Sequence, residues 1–319
     1  MRVVITGGGG FLGRKLAHRL LAEADQRGID EIVLLDVVMP PAGEFNDPRL
    51  KPMSGNITNP SQVESLIGSN IDGIFHLAAV VSAGAEADFD LGYKVNFEGT
   101  RNILESARAS GKKPKVIFAS SIATYGGILP DIVTDDTPVT PQTSYGVQKV
   151  IGEQLINDYS RKGYLDGRAM RLPTIVVRPG KPNKAASSFA SGIIREPLNN
   201  IDMVCPVAPE TRMALMSPRR VIDAFVHLFD LPSGALGQNR TLPLPGLSVS
   251  MAEACDALVQ AAGNRHHGTI TFDVDPEIQA IINGWPKASF SERAASLGFK
   301  GDDNMVDIVT AYIEDELGD

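Results

Sequence analysis

Through the first 180 positions, apolar residues fall into short continuous runs separated by longer stretches with helical spacing. The runs predict strands over 2–6, 31–36, 73–77, 115–120 and 170–177. Four of them are rich in Val, Ile and Leu, as strands covered on both faces should be. Between them, residues 11–24 repeat apolar side chains at Leu12, Leu16, Leu20 and Leu21, which predicts a helix that Gly28 helps to close. Similar periodicity marks helices over 96–109 and 145–159. Asn59-Pro60-Ser61 offers a cap and an early proline for a short helix over 63–67. Strands alternating with helices predict an α/β fold with a parallel sheet, its right-handed crossovers covering both faces.

The rhythm changes after residue 180. The run RPGKPNKAASS at 178–188 reads as a loop leaving the sheet, followed by a short helix over 189–195. A helix over 218–231 and a strand over 240–243 return to the sheet. Helices over 251–262 and 305–317 complete the chain, with Trp285 between them. No internal repeat or heptad series occurs.

A length of 319 residues suits two folding units. With 43% hydrophobic and 21% charged residues, the composition excludes disordered and fibrous classes. The net charge of −8 gives no basis for a broad attraction to nucleic acid or anionic membrane, so small molecules and further copies of the chain are the expected partners. Cys205 and Cys255 stand far apart in sequence, outside metal-ligand spacing, and read as structural thiols; no metal is expected. No basic-then-apolar leader opens the sequence, which predicts a cytoplasmic protein.

Chemistry enters with the run VVITGGGGFLG at 3–13, a strand passing through glycines into a helix. Gly7, Gly10 and Gly13 let backbone approach a pyrophosphate, and the helix start offers unpaired N–H groups and a positive dipole end. The second strand ends in Asp36, placed to accept hydrogen bonds from ribose hydroxyls. A carboxylate there repels a 2′-phosphate, and no Arg follows it, so NAD is expected in preference to NADP. Ala78 and Ala79 leave room for backbone to lie against the dinucleotide. Further on, Tyr145 and Lys149 stand four apart on one helix face, where an ammonium can stabilise a phenolate. Ser120 and Ser121 end the strand over 115–120, at the edge where such sheets bind ligands. His76 is expected to pack and hydrogen-bond near the cofactor.

Together TGGGGFLG, Asp36, Gly55-Asn56-Ile57, His76-Leu77-Ala78-Ala79, Asn96, Ser120-Ser121 and Tyr145-x-x-x-Lys149 resemble the extended short-chain dehydrogenase/reductase superfamily, also called the NAD-dependent epimerase/dehydratase family. The resemblance implies a Rossmann doubly wound parallel sheet with a smaller, mostly helical C-terminal substrate domain. The expected boundaries are 1–180 plus 217–245 for the NAD-binding domain and 181–216 plus 246–319 for the substrate domain, with the active site between them. It further implies Tyr145 as acid/base, Lys149 as its cationic partner and Ser121 as the hydroxyl holding the reacting oxygen, with Ser120 a structural or cofactor neighbour. Along the dinucleotide it places Gly7, Gly10, Phe11, Leu12, Gly13 and Asp36, then Asn56, Ile57, Leu77, Ala78, Ala79 and Asn96. Ser120, Tyr145, Lys149, Pro173 and Ile175 complete that set. Asn56 departs from the Asp common in the family and can contact adenine through its amide. Ile122-Ala123 replace the Asp-Glu pair of the family's dehydratases, which argues against water elimination.

For substrate, Arg178 is the leading candidate to hold a carboxylate in two parallel hydrogen bonds, with Arg219 and Arg220 behind it. Ser82, Ser187 and Ser188 are candidates for further hydroxyls. Residues 178–183, 193–198, 297–299 and 313–317 resemble the D-erythronate dehydrogenase subgroup of the family. That likeness implies oxidation of a four-carbon sugar acid at C2 to the 2-oxo acid. The alternative is a nucleotide-sugar 4-epimerase with tightly bound NAD, and a third reading is a non-catalytic NAD-binding regulatory protein. Pairing through the helix bearing Tyr145, common in the family, implies a homodimer.

Overall fold

A computed structural model of the chain describes residues 1–41, 43–68, 70–181 and 187–318. Packing divides it into two units, one of residues 1–121, 143–171 and 222–242, the other of residues 122–142, 172–221 and 243–319. Residues 122–142 and 172–180 thus pack with the second unit, although their sequence reads as part of the first. Residues 217–221 and 243–245 do the same. Within the second unit, Ser291 and the Arg293 N–H bond the Asp135 carboxylate, and the Val133 N–H donates to Ala288 O. Those partners lie too far along the chain to register as periodicity.

The first unit is built on a seven-stranded sheet. Its strands are β1 (Arg2–Thr6), β2 (Glu31–Asp36), β3 (Leu50–Ser54), β4 (Gly73–His76), β5 (Lys115–Ser121), β6 (Asp166–Leu172) and the returning strand Thr241–Pro243. Across the sheet the order is Thr241–Pro243, β6, β5, β4, β1, β2, β3, and the run from β5 to β3 is parallel. The order reverses direction between β1 and β4, so a crevice opens at the C-terminal ends of those strands. Side chains alternate between two helical layers. Val4, Val33, Ile74 and Val116 face the helices Pro60–Ile67, Thr100–Ala109 and Ser144–Arg161 through Val63, Ile103, Leu104 and Ile156. On the opposite face Phe75 packs edge-on to Phe225 and stacks on Phe229 of the helix Pro218–Asp230.

Several elements differ from expectation, and one strand, β3, was not expected at all. The strand predicted over 170–177 is two: β6 begins at Asp166 and ends at Leu172, and Thr174–Ile175 pairs with Arg212–Met216 in a separate three-stranded sheet. Asp166-Gly167-Arg168 is polar or small and lies outside the predicted strand, yet Arg168 is buried, paired with Asp166 and donating to Leu228 O. Strand β3 escapes the apolar pattern because four of its five residues are exposed and Pro52 interrupts it, tolerable on an edge strand. The first helix ends at Ala22, and a separate turn of helix, Ala24–Arg27, precedes Gly28.

The second unit has its own core, in which Phe189, Ile193 and Ile194 of the helix Ser188–Leu198 meet Leu258 of Met251–Ala262 and Ile308 and Val309 of Met305–Tyr312. Of the loop expected at 178–188, residues 182–186 lie outside the described residues. Among the described residues no helix is long and apolar enough to cross a membrane.

Candidate active site

The glycine turn carries β1 into the helix Phe11–Ala22, and Gly7, Gly10 and Gly13 are of two kinds. A Cβ on Gly13 would lie 2.3 Å from Gly7 O, and one on Gly7 would lie 2.8 Å from Ala78 N, so both are held bare by neighbouring backbone. On Gly10 it would meet only Gly7 O, at 3.1 Å. Gly10 is therefore the least crowded of the three. Gly10 is also the helix N-cap, and among the described residues no side chain caps the first-turn N–H groups, which stay available to an anion. Asp36 ends β2 beside this turn. Its Oδ2 accepts from Gly9 N at 3.0 Å and its Oδ1 from Val38 N at 3.1 Å, which fixes the carboxylate while leaving further lone pairs. An open phosphate cradle beside an anchored, partly exposed carboxylate fits a dinucleotide with free ribose hydroxyls.

Further along the same strand ends, Leu77, Ala78 and Ala79 follow β4 half-buried, and Ala78 N donates to Thr6 Oγ1 at 3.3 Å. His76 is buried with both ring nitrogens engaged, Nδ1 with Thr6 Oγ1 at 2.7 Å and Nε2 with Thr100 Oγ1 at 2.9 Å. Burial and the Lys149 cation push it down to about 3, so it is neutral and structural. Asn96 is buried in a π-helical turn, Tyr93–Gly99. Its Oδ1 accepts from Val80 N at 2.8 Å, and its Nδ2 donates to Val80 O and Gln148 Oε1 at 2.9 and 2.7 Å. That amide clamps the loop after β4 to the helix carrying Lys149. Ile57 is buried in the core, whereas the exposed Asn56 uses its Oδ1 on Thr58 N.

The helix Ser144–Arg161 is started by Thr143, whose hydroxyl accepts from Gly146 N at 3.1 Å, and by Glu86, which accepts from Ser144 N at 3.0 Å. Gly152 lets it approach β5 closely, since a Cβ there would lie 2.5 Å from the Phe118 ring. This brings Tyr145 into hydrogen-bond contact with Ser121, the last residue of β5. Lys149 Nζ donates to Ala119 O at 2.7 Å and lies 5.4 Å from the Tyr145 ring centre. Burial pushes the Tyr145 phenol up to about 12, against the pull of Ser121, and draws the Lys149 ammonium down to about 8, opposed by the Glu153 carboxylate. Ser121, Tyr145 and Lys149 are thus together, and the Ser120 hydroxyl is directed to Glu153 instead, at 2.5 Å.

Ser82 begins the helix Ser82–Ala87 in the first unit. The remaining expected residues belong to the second: Pro173 is buried, Ile175 half-buried in its short strand, and Ser187 half-buried before the helix Ser188–Leu198. Arg178 is exposed, and its carbonyl accepts from Arg195 Nη1 at 2.8 Å. Arg219 is committed to Glu314 and Asp315, and Arg220 lies 3.9 Å from Asp303. Glu153 and Arg171 were missed by sequence reasoning. The signal for Glu153 is the spacing Tyr145, Lys149, Glu153, which sets a carboxylate one further turn along the same helix face, and Arg171 on β6 carries no such signal.

Strand order, glycine turn and anchored carboxylate together define a Rossmann-type dinucleotide-binding protein. The family model of the NAD dependent epimerase/dehydratase family matches residues 3–233, and the chain belongs to that family. Among curated proteins it is 49% identical to the D-erythronate dehydrogenase of Cupriavidus necator, over 99% of this chain and 98% of the relative. It is 48% identical to that of Haemophilus influenzae, over 99% of this chain and all of the relative. The crystal structure of the nucleoside-diphosphate-sugar epimerase from Agrobacterium tumefaciens superposes with a TM-score of 0.94 at 40% identity, covering all of this chain and 95% of that one.

Proposed function

We propose that this chain is an NAD-dependent dehydrogenase that oxidises D-erythronate at C2 to 2-oxo-D-erythronate. The observation that carries this reading is identity near one half, end to end, with two D-erythronate dehydrogenases. When bound, NAD supplies the hydride acceptor. The chain's own residues supply the rest. The glycine turn and Asp36 hold the dinucleotide, and Ser121 orients the C2 hydroxyl by hydrogen bonding. Tyr145 takes the hydroxyl proton on its phenolic oxygen as the C2–H bond breaks with its electron pair, leaving a C2 carbonyl. Lys149 stabilises the phenolate as a neighbouring cation. Arg178 is the proposed carboxylate partner, with Ser82 and Ser187 for remaining hydroxyls.

The oxidation needs the Tyr145/Lys149 pair to hold one proton rather than two, so that the pair can accept the proton of the C2 hydroxyl. Since the pair gives up its first proton near the Lys149 value of about 8, the competent form grows as pH rises towards that point. A homodimer in the cytoplasm, serving carbohydrate metabolism, accompanies the same proposal and is supported by the family's habit of pairing through the helix that bears Tyr145.

The epimerase reading has one observation in its favour, the 40% identical structure named for that activity. Purified protein incubated with NAD and a panel of sugar acids separates the two by absorbance. Net NADH from D-erythronate supports the dehydrogenase. Interconversion of UDP-sugars with no net NADH from any acid would overturn it.

A further inference from the structure

Directly beneath Lys149, three side chains from three elements meet in a buried polar cluster. Glu153, one turn further along the helix, is 1% exposed. Its Oε1 accepts from Ser120 Oγ of β5 at 2.5 Å and from Arg171 Nε of β6 at 2.9 Å, and its Oε2 accepts from Arg171 Nη2 at 2.7 Å. The ion pair is therefore a two-pronged fork, the geometry in which Arg fixes a carboxylate most firmly. A buried pair of this kind is weak evidence for stability, because desolvation offsets much of its attraction. Its place on the helix face that presents Tyr145 and Lys149 gives it another use.

We propose that Glu153 is a positioning residue for the Tyr145/Lys149 pair: pinned by Arg171 and Ser120, its carboxylate sets the register of the helix against β5 and stabilises the Lys149 ammonium. The inference rests on the proposed dehydrogenase function only for the importance of that pair, since the electrostatic effect exists without substrate. Among the described residues, few groups face Lys149. Tyr145 and Glu153 share its helix, Arg171 stands behind Glu153 on β6, and β4 contributes His76, neutral and bonded to two threonines. Phe118 and Ala119 of β5 supply a ring face and a carbonyl. Among the described groups Glu153 is thus the anion positioned to oppose the burial of the ammonium, and Arg171 is the cation paired with that anion.

The sign of two substitutions follows. Glu153→Gln removes the anion that favours the ammonium, so Lys149 loses its proton more easily. Arg171→Gln removes the cation and leaves the anion, so Lys149 holds its proton more firmly. A purely structural role would move both variants the same way, through loosening and water entry. The test is an NMR titration of lysine side-chain carbons in cofactor-free protein, with Lys149 assigned by substitution. The native group is expected to titrate near pH 8, lower by about one pH unit in Glu153→Gln and higher by a similar amount in Arg171→Gln. Glu153→Asp, which keeps the charge, should return the titration most of the way to native. Same-direction shifts in the Gln variants, or no shift in either, would overturn the proposal. If one Gln variant fails to fold, the other alone decides by its sign. NADH formation by the native protein is measured alongside: its absence would count against the dehydrogenase reading, while the titration judges the role of Glu153 separately.

Discussion

The two ends of the candidate site are made of different materials. The phosphate end is backbone: glycines at 7 and 13 are kept bare by protein atoms within 3 Å, and the groups offered to a ligand are main-chain N–H groups at a helix start. The reacting end is side chain, with Tyr145, Lys149 and Ser121 set by a helix drawn onto β5 and a buried ion pair below. A backbone cradle is intolerant of added atoms and indifferent to pH. A site of buried ionisable groups tolerates changes of shape better than changes of charge, and its output follows pH.

Substitutions can break that contrast, the most damaging first. Tyr145→Phe keeps the ring and removes the proton acceptor, so kcat should fall about 10²–10⁴-fold. NAD binding, followed by quenching of protein fluorescence or by calorimetry, should persist. Loss of binding would mean that the two ends are not separate. At the other end, Asp36→Ala removes a charged acceptor and also frees Gly9 N and Val38 N, and KM for NAD should rise ~10- to 100-fold with a smaller change in kcat. The glycines then sharpen the picture. Gly13→Ala forces a methyl onto backbone and should cost ~1–3 kcal/mol of stability, seen as a lower Tm. Gly10→Ala should leave Tm close to native and weaken NAD, because its methyl would occupy ligand space. The gentlest probe is pH. Below about 8 the rate of D-erythronate oxidation should fall by up to about tenfold per pH unit, as protons return to the Tyr145/Lys149 pair, while NAD affinity changes little.

The same contrast governs what could be read from sequence. A backbone cradle demands glycines at fixed spacing after an apolar strand, so Gly7, Gly10, Gly13 and Asp36 announce themselves within 36 residues. Tyr145 and Lys149 are legible for a similar reason, one helical turn apart. Glu153 stands at the next such spacing, but its role does not show, because its partners are 18 and 33 residues away and meaningful only once β5 and β6 lie side by side. Strand β3 hides behind its proline and exposed face, and the start of β6 behind a buried arginine that looks like a loop residue. Residues 122–142 carry no periodicity at all. They are held in the second unit by hydrogen bonds to 288–293, such as Ser291 Oγ to Asp135 and Phe290 N to Val133 O.

The central claim, that the pair at the reacting end removes a proton and lets C2 give up its hydrogen to NAD, is tested most directly with D-erythronate carrying deuterium at C2. Mass spectrometry of the products should find one deuterium in the reduced nicotinamide, none in the 2-oxo acid, and a slower turnover than with unlabelled acid. Reduced cofactor without deuterium, or acid recovered unchanged with its label in place, would contradict the account.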